Sequence, residues 1–113
     1  MRNTRPISWL KGALRDFRDF PAATQEIAED ALTQIAEGGT PDVAKPLTGL
    51  GAGVWELALR TRGDAYRIVY ALQLGDAIWI IHAFQKKAKS GIATPKHEID
   101  LVRERLKRLK EQL

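Results

Sequence analysis

Residues 54–87 read VWELALRTRGDAYRIVYALQLGDAIWIIHAFQKK, and the period of two in this stretch decides the fold. From Val54 onward, Trp55, Leu57 and Leu59 alternate with Glu56, Ala58 and Arg60, the pattern of a strand with one buried face. Gly63 and Asp64 turn the chain. A second strand, from about Tyr66 to Leu74, carries Tyr66, Ile68, Tyr70, Leu72 and Leu74 on one side and Arg67, Val69, Ala71 and Gln73 on the other. Gly75 with Asp76 makes a tight hairpin turn into the run Ile78, Trp79, Ile80, Ile81. That run is dense in β-branched and aromatic residues and is expected at the middle of the sheet. The lysine-rich segment after it cannot be core: burying the ammonium groups of Lys86, Lys87 and Lys89 unpaired costs several kcal/mol each. The strand therefore delivers positive charge to the rim of the sheet, which suits a phosphate-bearing partner, a solvated basic loop being the alternative.

Working outward, Arg5 to Leu10 reads as a short first strand. Ala13, Leu14, Phe17 and Phe20 recur at helical spacing, giving a first helix that stops before Pro21. A second helix opens with Pro21 at its first position. It carries Ile27, Ala28, Ala31, Leu32 and Ile35 on one face and Glu26, Glu29, Asp30 and Glu37 on the rest, and Gly38 and Gly39 end it. The two helices form a hairpin whose apolar faces need a sheet to cover. Residues 40–53 hold two prolines and three glycines and read as a loop with Lys45 as its one cation. After the strands, Thr94 is placed to cap a last helix, with Pro95 in its first turn. Ile99, Val102, Leu106, Leu109 and Leu113 make a narrow stripe on that basic helix, fit either to dock on the sheet or to bind a partner's helix.

The bulk properties narrow the classes. A chain of 113 residues makes one domain, residues 1–113, with a single core. No apolar run approaches the roughly 20 residues of a bilayer span. The first residues alternate Arg and Asp with apolar positions, unlike a signal peptide, so the cytoplasm is the expected location and no membrane partner is expected. The absence of cysteine excludes disulfides and thiol chemistry, and His82 and His97 are too few for a convincing metal site; no metal or cofactor is expected. The net charge of +4 is unevenly spread: residues 21–53 set one lysine against five acids, and the rest of the chain is basic. Such a distribution fits nucleic-acid contact on one side only, solvated surfaces being the plainer alternative.

Strand parity puts Glu56, Arg60 and Arg67 together on the sheet face opposite the helical hairpin. Beside the small Ala58 and Ala71, that row describes an open, concave surface and not a second core. Cross-strand ion pairs on a solvated face are the alternative.

The strings KPLTGLGAGVWELALR, DAYRIVYAL, IIHAFQKKAKSGIATP and IDLVRERLK, in this order of elements, resemble the RelE/ParE superfamily of bacterial type II toxins, and within it the phage-derived, HigB-like branch. The resemblance spans about Trp9 to Leu109. It implies an α+β fold of order β-α-α-β-β-β-α, with an antiparallel-rich sheet, a helical hairpin on one face and a C-terminal helix. It also implies a metal-independent endoribonuclease, an mRNA interferase that cuts mRNA in the ribosomal A site. Its implied partners are mRNA, the ribosome and a cognate antitoxin, a helix-turn-helix protein that silences it in a toxin-antitoxin hetero-oligomer.

The site residues implied are Arg67 of the Tyr66–Arg67 pair, Lys86 and Lys87 after the last strand, Glu56 and Arg60 of a Glu-Leu-Arg region stretched here to ELALR, and His82. The C-terminal RERLKRLKEQL lacks the histidine or tyrosine that many relatives keep there as proton donor. Metal-free RNA cleavage needs a base for the 2′-hydroxyl, cations for the phosphorane and an acid for the leaving 5′ oxygen. Arg67 suits the phosphate clamp because its guanidinium is bidentate and always charged, and Lys86 and Lys87 assist it. For the base, Glu56 paired with Arg67 becomes an orienting residue. His82 titrates near neutrality, although a lone histidine in an apolar strand also fits a satisfied core position. Tyr66 carries core parity. The superfamily also holds ParE-type gyrase inhibitors without nuclease activity, and a relative that only binds its antitoxin is a third reading.

Overall fold

The strand β4 (Asp64–Leu74) is the middle of a five-stranded sheet, and every other element is placed relative to it. The structure, a computed structural model, describes residues 4–51, 53–87 and 94–113. In chain order the elements are β1 (Ile7–Trp9), α1 (Lys11–Arg18), α2 (Ala22–Ala36), β2 (Ala44–Pro46), β3 (Val54–Thr61), β4, β5 (Ala77–Lys86) and α3 (Lys96–Gln112). The sheet order is β1-β5-β4-β3-β2, antiparallel throughout except that β1 runs parallel to β5. The α+β architecture expected from the sequence is observed, with one addition. Residues 44–46 of the expected loop form an edge strand, β2, against β3; it contains Pro46, which an edge tolerates because its missing N–H faces away from the ladder.

The hairpin α1–α2 covers one face of the sheet. Leu57, Leu59, Tyr66, Ile68, Tyr70, Ile78 and Ile80 meet Ala13, Phe17, Ala28, Leu32 and Ile35 there. Aromatic contacts run Trp9–Phe17 at 4.8 Å, Phe17–Phe20 at 5.6 Å and Phe20–Tyr66 at 4.8 Å between ring centroids, tying β1 through α1 to β4. Tyr66 is thus a packing residue, in keeping with its parity. Arg5 fixes the entry to β1: its guanidinium donates to the carbonyls of Leu72, Asp76 and Ala77 around the β4–β5 turn.

On the opposite face, α3 docks its stripe on the sheet. Val102, Leu106 and Leu109 are buried against Val54, Val69, Ala71, Ile81 and Phe84. Each such side chain contributes about 1.5–3 kcal/mol on burial, enough to hold a helix whose other faces are charged. This corrects the expectation of an open sheet surface. Half of that face is a second core, and only its other end, with Ala58, Arg60 and Ala65, stays uncovered by the stripe. Two turns also differ from the sequence reading. The β3–β4 hairpin turns at Arg62 and Gly63, both at positive φ of 50° and 83°, and Asp64 already belongs to β4. Leu74 packs on the α3 side, because the β4–β5 register slips between Ala71 and Leu74.

A second slip matters more. Val69 pairs with His82 but Tyr70 pairs with Ile80, leaving Ile81 as an extra residue. Strict alternation from Ile78 and Ile80 puts His82 under the hairpin. The bulge sends it to the α3 face instead.

Candidate active site

The register sets out the α3-side face as three rows. Lys45 of β2, Glu56 of β3, Val69 of β4 and His82 of β5 form the first, Ala58, Arg67 and Phe84 the second, and Arg60, Ala65 and Lys86 the third. Arg67 stands at the centre of this grid. Its guanidinium Nη1 donates to Glu56 Oε1 at 2.6 Å, a diagonal cross-strand pair in which the acid is 2% and the arginine 6% exposed. Glu56 also accepts from the Thr94 hydroxyl at 2.7 Å through Oε2, and Lys45 Nζ lies 3.7 Å from Oε1. A buried carboxylate in this setting is stabilised only because each oxygen is occupied.

Arg67 and Lys45 stand against this carboxylate, Lys86 lies within its electrostatic reach, and Arg60 adds a fourth cation beside Lys86 at the open end of the face. Partial desolvation, and then the nearby charges of Arg67 and Lys45, hold the Lys86 ammonium below its usual range, with Glu56 opposing and Arg60 adding to the effect. Arg60 is exposed at the open end of β3, and the Lys45 side chain is 42% exposed. The site therefore has a buried centre, Glu56–Arg67, and a solvent-facing rim of three cations. A phosphodiester approaching the open end of the face meets that rim.

The other sequence candidates separate from this group. His82 is buried and locked: Nε2 lies 2.9 Å from Glu98 Oε1, and Arg105 Nη1 donates to Nδ1 at 3.2 Å and to the Ile81 carbonyl at 2.9 Å. Since an arginine can only donate, Nδ1 is the acceptor and Nε2 carries the proton toward Glu98. Its ring stacks on Phe84 at 4.9 Å. Burial lowers the His82 pKa, the Glu98 carboxylate opposing and Arg105 assisting. Lys87 is exposed and lines a separate groove of about 480 Å³ with His82, Glu98, Asp16 and Asp19. Lys89 lies outside the described residues.

Four residues of these networks carry no site role in the sequence reading. Lys45 is legible there only as the lone cation of an acidic block. Thr94 reads as a helix cap, but Pro95 holds that position and the Thr94 hydroxyl goes to Glu56. Glu98 and Arg105 are two charges among many on a charged helix. Among the described residues no group of His, Asp or Glu is arranged to hold a metal ion, no buried polar side-chain atom lacks a partner, and no helix is long and apolar enough to cross a membrane.

Comparison with known proteins places this geometry. Residues 15–107 match the model of the family described as Phage derived protein Gp49-like (DUF891). The chain belongs to the Gp49-like family. No curated protein sequence matches it. Among solved structures, the Gp49-like chain is similar to an arginine-to-alanine double mutant of the E. coli toxin RelE in the free state. The TM-score is 0.65 at 18% identity, over 93% of this chain and 97% of that one. It is also similar to the intact E. coli RelBE toxin-antitoxin complex, with a TM-score of 0.58 at 18% identity over 74% of this chain and 99% of that one. The fold is therefore that of the RelE toxins, and the resemblance to the RelE superfamily and to its phage-derived members read from the sequence is borne out.

Proposed function

We propose that this Gp49-like chain is the toxin of a type II toxin-antitoxin pair and a metal-independent endoribonuclease that cuts mRNA on the ribosome. The observation that supports this reading best is the run of four cations, Lys45, Arg67, Lys86 and Arg60, that leads from one buried carboxylate to the open end of the sheet. A strongly anionic transition state such as a phosphorane is stabilised by preorganised positive charge, and here Glu56, itself fixed by the Thr94 hydroxyl, holds the central guanidinium in place before substrate arrives. Lys45 and Arg60 bind the scissile phosphate and its neighbour, and Arg67 faces the phosphorane from the buried centre. The 2′-hydroxyl gives up its proton to solvent water at the open end of the face and attacks the adjacent phosphate in line, expelling the 5′ oxygen and leaving a 2′,3′-cyclic phosphate. Lys86 supplies the proton to that leaving oxygen. Its lowered pKa makes it a better acid than an ordinary lysine and fills the role for which the C-terminus offers no histidine or tyrosine. The fold shared with the RelBE complex supports a cognate antitoxin as partner.

The test is primer-extension mapping of mRNA in a purified translation reaction, against the same mRNA without ribosomes. The reading expects 5′-hydroxyl ends at discrete positions only with ribosomes. Equal cutting of naked RNA would remove the ribosome from it, and inhibition of DNA gyrase with intact mRNA would replace it. Lys86→Arg is the sharper probe. It keeps the charge but cannot give up a proton near neutrality, so RNA binding is retained while cleavage falls about 10²- to 10⁴-fold.

A further inference from the structure

We propose that the groove between α2 and residues 40–43 is the docking site of a basic, aliphatic segment of the antitoxin, an inference that rests on the toxin reading above. Only four large hydrophobic side chains stand exposed among the described residues, and two of them, Ile27 at 43% and Val43 at 40%, line this one groove of about 350 Å³. Exposed apolar residues scattered singly are ordinary; two from separate elements converging on a concavity are not. Ala31 and Pro41 line the groove with them, and Asp30 and Asp42 rim it.

Charge decides the occupant. No cation lines the groove, and Glu26 and Glu29 are exposed on the same helix. The one lysine of the whole 21–53 block, Lys45, is drawn by Glu56 to the opposite face of the sheet. RNA is repelled from such a surface, and an acidic peptide equally so. A segment that seats leucine, isoleucine or valine on Ile27 and Val43 while its lysines or arginines reach Asp30 and Asp42 satisfies both halves. Ile27, Ala31 and Gln34 lie at intervals of four and three along α2, so the track is about 10 Å long, two turns of a partner helix or three residues of extended chain. The groove and the cation cluster are on opposite faces of the sheet. A segment anchored here holds the antitoxin on the toxin without itself filling the phosphate site.

The probe is the protein encoded by the reading frame adjacent to that of this chain, titrated calorimetrically against the full chain. Ile27→Asp, Val43→Asp and the double change Asp30→Lys with Asp42→Lys alter exposed positions only, and melting curves check that each variant stays folded. Each is expected to weaken binding about tenfold or more, the charge reversal also flattening the salt dependence, while RNA binding is unchanged. If the adjacent product binds wild type and all variants alike, the docking site is wrong and the antitoxin reading stands. If it neither binds nor neutralises wild type, both fall. A wild-type homodimer in sedimentation that Ile27→Asp dissolves would give the groove to a second copy of the chain and overturn the proposal.

Discussion

At the scale of single residues, the Glu56–Arg67 pair carries structure and, in the proposed function, chemistry as well. Removing the arginine leaves a carboxylate that is 2% exposed facing a hydroxyl and a lysine 3.7 Å away. Breaking a buried pair from one side costs about 3–5 kcal/mol. Arg67→Ala is therefore expected to lower the urea midpoint markedly as well as to abolish toxicity, and loss of toxicity in that variant alone says little about catalysis. An Arg67→Ala protein as stable as wild type would show that the pair is not the keystone assigned here.

His82 makes a different statement. Its folded pKa lies below the ordinary value of 6.5, so the unfolded chain binds the proton more readily. The stability it contributes is complete above the unfolded pKa and is lost as pH falls through the lowered folded one. The groups facing it are Glu98 and Arg105 from α3 and Asp16 from α1. Melting temperature should thus drop between pH 7 and pH 5 more steeply in wild type than in His82→Gln, which keeps a donor toward Glu98 but cannot titrate. Parallel curves would show that the buried imidazole does not govern acid sensitivity.

At the scale of elements, α3 is held by few side chains. Leu106→Ala, in a stripe of three buried residues, is expected to cost about 2–5 kcal/mol and to loosen Thr94 from Glu56, so hydrogen exchange should rise in α3 and at Glu56 together. Exchange that rises in α3 alone would uncouple the helix from the site. The same scale shows what the sequence discloses. The alternation of β3 and β4 and the stripes of α2 and α3 are periodic over many residues, and each is the element it implies. The shared face of Glu56 and Arg67 is legible too, because a period of two survives as long as the register does. The extra residue at Ile81 does not announce itself: every residue from Ile78 to Ile81 is apolar, so a slip by one leaves no polar residue in the wrong place. The side taken by His82 is hidden for that reason. β2 is hidden for another, since three residues including a proline are too short to carry a period.

At the scale of the whole molecule, two patches of opposite charge lie on opposite sides of the sheet, each among residues of mixed sign such as Lys11, Arg15 and Arg18 of α1. The cations collect on the α3 side at the open ends of β2, β3 and β5, and the acids collect on α2. A chain whose net charge is +4 thus presents an anionic patch to one class of partner and a cationic one to another. Net charge alone supports nucleic-acid contact only weakly. The distribution is more specific, because Lys45, the one cation of the acidic block, belongs by its ion pair to the other side.

The pairing of β1 with β5 has a further consequence in time. Ile7 finds its partner only in Ile78, and the cation cluster draws on β2, β3, β4 and β5, with Thr94 closing it. A nascent chain presents the helical hairpin first, with its apolar face uncovered, and cannot assemble the cation cluster until the residues through Thr94 are made. Long-range pairing of this kind slows folding. For a protein proposed to attack translation, it also sets an order: the proposed RNA-binding surface follows the helical hairpin and waits for β2 to β5 and Thr94.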